Sequence, residues 1–192
     1  ITAFTSDTGL ATIDGSTSTG DLSLPAAGAA KDQSIKTGSG NDTIAMGAYL
    51  TNADTIDGGA NSASDTIGTV GKDTLTATVT GLTATTGALN IANVETINLT
   101  NAGSAVINAA SITGASQIAI AEDASITSTT VSGLAAGVAL GLGFSGVANA
   151  QTALGTITPS LTDATGTADS LTFNLNDTTD GDTNTATIKT SG

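Results

Sequence analysis

The chain contains no cysteine, no histidine, no tryptophan and no arginine. Without Cys there is no disulfide to staple a secreted fold, so any external cross-link has to come from elsewhere, such as a metal. Without His and Cys the common general base and the best thiol nucleophile are gone. No Ser stands in a nucleophile-elbow context. A carboxylate pair on a β-helix that cleaves polysaccharide would still need aromatic or basic residues to hold sugar, and aromatics are 2% of the chain. Catalysis is therefore not expected. Four basic residues stand against 17 acidic ones, for a net charge of −13. Clustered cations for nucleic-acid phosphates are missing. No apolar run is long enough to span a membrane as a helix.

What the 192 residues do offer is small and aliphatic. Hydrophobic residues make up 39% and mean hydropathy is +0.20, which argues for a folded chain. Ala, Val, Ile and Leu suit a narrow interior, such as the gap between closely stacked sheets. Nearly all the acids are Asp, the exceptions being Glu95 and Glu122. Asp favours turns and metal sites, whereas Glu favours helices. A stack of such carboxylates repels itself, so bound cations are expected to stabilise the fold.

The stretch from Thr37 to Asp73 organises the chain. Asp42-Thr43-Ile44 recurs as Asp54-Thr55-Ile56 and Asp65-Thr66-Ile67, with a looser copy at Asp73-Thr74-Leu75. The aspartates stand twelve, eleven and eight residues apart. A turn of small residues lets carbonyls point inward, because Gly tolerates positive φ. The Asp adds a carboxylate, and Thr-Ile starts a strand with Ile inward and Thr outward. Stacking such units brings oxygens of neighbouring turns together in a cage for a hard cation, Ca²⁺ above all. Candidate ligands are Gly38, Gly40, Asn41, Asp42, Asp54, Asp57, Gly59, Asn61, Asp65 and Asp73. Asp57 is equally suited to capping the turn at Gly58-Gly59. The competing reading is a set of Gly/Asp-rich hairpin turns without metal.

Gly38-Ser39-Gly40-Asn41-Asp42-Thr43-Ile44 resembles the glycine- and aspartate-rich nonapeptide of RTX proteins, whose repeats form a Ca²⁺-binding parallel β-roll. Gly58-Gly59-Ala60-Asn61 is similar to the start of another copy, with two extra residues before Asp65. The segments Ile13 to Gly20, Asn93 to Leu99 and Gly166 to Leu171 resemble bacterial surface-layer proteins of the Caulobacter type. The resemblance implies an all-β, right-handed parallel β-roll or β-solenoid-like stack, elongated, with calcium-binding turns. It also implies type I secretion to the cell surface and self-association into a lattice, with cell-surface polysaccharide as a further partner. The alternative is an RTX adhesin or other exoprotein in which this region is a calcium-rigidified spacer.

Along the chain, 1–35 reads as a strand-rich flank, with Asp14 and Asp21 as turn residues and Pro25 ending a strand or sitting at an edge. Residues 36–75 are the calcium-binding segment and 76–155 a solenoid-like region. Within 73–82, Leu75, Ala77 and Val79 fall on one face and Thr74, Thr76, Thr78 and Thr80 on the other, the clearest period of two. Outward threonines also suit an ice-binding surface, but the pattern is not sustained at regular spacing. Glu95 sits among apolar residues, as a partly buried carboxylate, a metal ligand or a solvent-facing strand residue. The Ala/Gly/Leu-rich run 132–155 is expected to be a strand pair or packed loop, with a brief helix around Val147–Leu154. Residues 156–192 return to strands, with an isolated Ca²⁺ site conceivable between Asp163 and Asp169 and a hairpin turn at 177–182. No initiating Met or signal peptide is present, and the chain reads as a piece of a longer protein.

Overall fold

The computed structural model describes residues 10–25, 31–60, 72–80, 82–83, 86–103, 105–122, 128–143, 156–163, 165 and 170–175. All their regular structure is β. In chain order the strands are β1 (Thr12–Asp14), β2 (Ser23–Pro25), β3 (Ser34–Lys36), β4 (Thr43–Gly47) and β5 (Thr55–Asp57). Then come β6 (Thr74–Val79), β7 (Asn90–Ala92), β8 (Thr96–Asn101), β9 (Ala105–Asn108) and β10 (Ile112–Thr113). The last five are β11 (Gln117–Glu122), β12 (Ser128–Leu134), β13 (Ala139–Leu142), β14 (Thr156–Leu161) and β15 (Phe173–Leu175).

These strands form three sheets. Sheet A runs β1-β3-β5-β7-β10, sheet B runs β15-β13-β11-β8-β6-β4-β2, and sheet C runs β14-β12-β9. Every described strand pair is parallel. The hairpin reading is thereby overturned for the described strands. Parallel neighbours need a long crossover. Here the crossover out of one sheet is itself a strand of another. From β1 to β8 the chain alternates between A and B; from β9 it also visits C. This order is compatible with a β-solenoid-like winding.

Register turns the sequence pattern into aliphatic ladders. On sheet A, Ile13, Ile35, Ile56, Ile91 and Ile112 align. On sheet B, Leu24, Ile44, Leu75, Ile97, Ile118 and Leu140 align. All eleven are buried and belong to one core. Each contributes roughly 1.5–3 kcal/mol by leaving water. The interior is mostly branched aliphatic, as the composition implies, with Met46 buried in it and Phe173 packed against it beside Leu140. Leu75, Ala77 and Val79 point inward from β6 as expected. Both prolines lie in strands that end their sheets among the described residues, Pro25 at the end of β2 in sheet B and Pro159 in β14 of sheet C, as proline's missing N–H favours. The run 132–143 supplies the end of β12 and all of β13, and the helix expected near 147–154 lies outside the described residues.

Candidate functional site

The turns that carry the chain from sheet A to sheet B stack on one another. The stacking explains their glycines. A Cβ on Gly38 would fall 2.1 Å from the Ser18 carbonyl oxygen, and one on Gly58 would fall 2.0 Å from that of Asn93. Neither position tolerates a side chain unless backbone moves. Gly59, at φ +89, lies against the Gly38 carbonyl, and Gly40 packs on Gly20 and Asp21. Asn93 holds positive φ as well, at 53°, which Asn bears better than most residues.

The Asp-Thr-Ile copies do not stack in the order in which they occur. Asp42 precedes β4 and Asp73 precedes β6, both in sheet B, whereas Asp54 precedes β5 in sheet A. Asp42 and Asp54 thus enter different sheets, so the twelve-residue step between them does not bring one copy beside the next. Thr43 and Thr55 are exposed while Ile44 and Ile56 are buried, as the motif predicts.

On sheet B the acids form a row along the stack. The Leu22 N–H donates to Asp42 Oδ1 (2.7 Å), the Asp42 N–H to Asp73 Oδ1 (2.7 Å), and the Asp73 N–H to Glu95 Oε2 (2.8 Å). The sequence separations are 20, 31 and 22 residues, one circuit each, and the long one contains 61–71. Asp42, Asp73 and Glu95 are 0%, 1% and 9% exposed. One oxygen of each aspartate makes a charge-assisted bond to backbone. The other two, Asp42 Oδ2 and Asp73 Oδ2, are buried with no partner. Asp73 Oδ2 is walled by Gly58, where a Cβ would come within 2.5 Å of it. Burial pushes the Asp73 carboxyl up to about 7. The Asp42 N–H bond opposes that rise, while the like charges of Asp42, Glu95 and Asp21 add to it.

The remaining candidates are engaged elsewhere. Asp54 is buried and satisfied: Oδ1 accepts the Gln33 N–H (2.6 Å), and Oδ2 accepts the Thr51 N–H (2.7 Å) and hydroxyl (3.1 Å). Asp57 caps its turn. Its Oδ1 accepts the Gly59 N–H and Asn93 Nδ2, and its Oδ2 lies 3.4 Å from Lys36 Nζ. Partial burial raises the Asp57 carboxyl, but those bonds and Lys36 outweigh it and the net shift is downward. Asn41 links three turns, its N–H donating to Asp21 Oδ1 and its Oδ1 accepting the Lys72 N–H. Asp14 and Asp163 are exposed and close local turns with Ser16 and Thr165. Asn61, Asp65, Asp169 and the 177–182 turn lie outside the described residues.

Two of the predicted carboxylates, Asp42 and Asp73, thus meet across one circuit. Among the described residues no three acidic side chains converge into a cage. The row is a line, each member standing just before one of the neighbouring strands β4, β6 and β8. A cavity of about 510 Å³ opens nearby over Ser16, Thr17, Thr37, Ser39 and the Lys36–Asp57 pair, and none of the three row carboxylates lines it. Glu95 is the member that sequence reasoning left unplaced. The signal was there: Glu95-Thr96-Ile97 repeats Asp-Thr-Ile with one more methylene. No helix among the described residues is long and apolar enough to cross a membrane. No protein-family model, curated protein or solved structure matches the chain.

Proposed function

We propose that this chain is a structural segment of a bacterial surface layer, a calcium-stabilised, self-assembling lattice on the cell exterior. Its strands wind as a right-handed β-solenoid-like stack, the hand that parallel crossovers nearly always take. The observation that supports calcium is the pair of buried, unpartnered oxygens on adjacent circuits, Asp42 Oδ2 and Asp73 Oδ2. An orphaned buried carboxylate oxygen is costly. Two of them within a row of like charge would suit a hard divalent cation. Asp42 and Asp73 would hold it, and it would supply the positive charge that no lysine brings to the row. Weak sites of about 10⁻⁴–10⁻³ M still fill outside the cell. Neutralising acidic faces would also let identical subunits meet.

The test is circular dichroism with light scattering, with and without chelator. Calcium is expected to sharpen the β signal and drive assembly into planar arrays. Asp42→Asn combined with Asp73→Asn is expected to lower calcium stoichiometry. If neither signal responds to chelation, the reading fails. A monomer that folds on calcium without assembling would point instead to the spacer of an RTX exoprotein.

A further inference from the structure

Glu95 belongs to no repeat of the glycine-rich turn, yet it ends the acid row. Its Oε2 accepts the Asp73 N–H at 2.8 Å. Its own backbone is pinned from the next circuit, because its carbonyl accepts the Ser116 N–H (2.9 Å), the Gln117 N–H (3.1 Å) and the Ser116 hydroxyl (2.9 Å). Three donors fix the main chain at Glu95, and the side chain in turn fixes the main chain at Asp73. The Asp73 N–H is thereby tied on one side while Asp73 Oδ1 is tied to Asp42 on the other. That double tether leaves Asp73 Oδ2 little freedom of direction. It is the oxygen with no partner.

We propose that Glu95 is a positioning residue for a divalent cation held at Asp42 and Asp73, orienting Asp73 and adding a third negative charge to the field the ion meets. This rests on the calcium reading above. The two effects part company when the ion is absent. The hydrogen bond then still stabilises the fold, whereas the third charge adds to the repulsion on Asp73. Glu95→Gln keeps the length and an acceptor oxygen and removes the charge. Glu95→Ala removes both.

The experiment is calorimetric titration of the purified chain with CaCl₂, beside thermal melts in chelator and in calcium. For Glu95→Gln we expect an unchanged number of ions, an affinity roughly tenfold weaker or more, and a melting point in chelator above that of the parent. Glu95→Ala should melt lower than the parent in both conditions. Parent-like calcium affinity in Glu95→Gln would overturn the proposal while leaving the calcium reading intact. So would a melting point below the parent in both conditions, the mark of a merely structural residue. No calcium binding by the parent chain would overturn both readings together.

Discussion

The same row of the stack is built in two ways. In the N-terminal part the residue before each sheet B strand is Leu22, Asp42, Asp73 or Glu95; further on it is Ser116 and then Val138. The main chain does not change along it. Thr43, Thr74 and Thr96 donate to the carbonyls of Leu22, Asp42 and Asp73, and Ala139 donates to that of Ser116. The side chains do change. Asp42, Asp73 and Glu95 spend one oxygen each on a backbone N–H of the circuit before, whereas Val138 joins the hydrophobic core. The change falls where sheet C joins and adds Ile107, Val131 and Leu134 to the interior. In the two-sheet part, charge-assisted bonds add to the buried aliphatic ladders in linking neighbouring turns. Where the third sheet is present, Val138 replaces the acid with an apolar side chain in the core. The two parts should therefore respond differently to pH, to backbone crowding and to calcium.

The largest expected difference is in pH. Because the Asp73 carboxyl is raised from 3.8 to about 7, the folded chain keeps a proton that the unfolded chain releases. Below about pH 4 both states are protonated and the contribution is fully present. From about 4 to about 7 stability falls as pH rises, by up to about 4 kcal/mol in chelator, and it levels off above that. Asp57, held low, acts oppositely, losing its contribution only as pH drops below the ordinary carboxylate range. Melts in chelator across this window should slope for the parent and flatten for Asp73→Asn. Equal slopes would erase the contrast between the two parts.

Next comes crowding in the turns. Gly58→Ala sets a methyl against the Asn93 carbonyl and Asp73 Oδ2, and should cost about 3 kcal/mol in chemical denaturation. Gly103, in the turn from β8 to β9, has nothing within 4 Å of such a methyl, and Gly103→Ala should stay within about 0.5 kcal/mol. Similar costs at both positions would mean that the acidic turns are no tighter than the rest.

These contrasts also mark how far the sequence could be read. Inward Ile and outward Thr followed from period-two alternation, and β6 was plain in Leu75, Ala77 and Val79. Alternation assigns faces, not neighbours, so it left open whether Asp42 would pair with Asp54 or pass over it to Asp73. That choice is made by which circuits can stack. A hairpin and a parallel stack write the same short pattern, and only register separates them. Glu95 was legible as a carboxylate among apolar residues, but composition alone left burial, ligation and exposure open, because only register puts Glu95-Thr96-Ile97 beside Asp73-Thr74-Leu75. Sheet C was hidden because nothing in Ala105–Asn108 marks a strand as belonging to a third face.

Calcium should act locally and more modestly. At a tenfold excess over the dissociation constant, one ion adds about 1.4 kcal/mol. Hydrogen exchange should place that gain on the amides of Leu22, Asp42 and Asp73, which donate to the row carboxylates, and spare the Ala139 amide. Protection gained evenly across β2 to β13 would show the whole stack, and not its acidic part, to be the calcium-dependent unit.

The smallest effect is expected from the lysine that pairs with Asp57. Lys36 pairs with Asp57 at 3.4 Å, and its side chain is 53% exposed. Such a pair is worth about 0–1 kcal/mol and fades with salt. Its charge serves Asp57, lowering that carboxyl, and is absent from the influences on Asp73. Lys36→Ala should therefore shift the melting point little, and should leave the slope between about pH 4 and pH 7 untouched. If Lys36→Ala steepened that slope, lysine would already be neutralising the row from a distance. The unpartnered oxygens of Asp42 and Asp73 would then have less need of a metal ion.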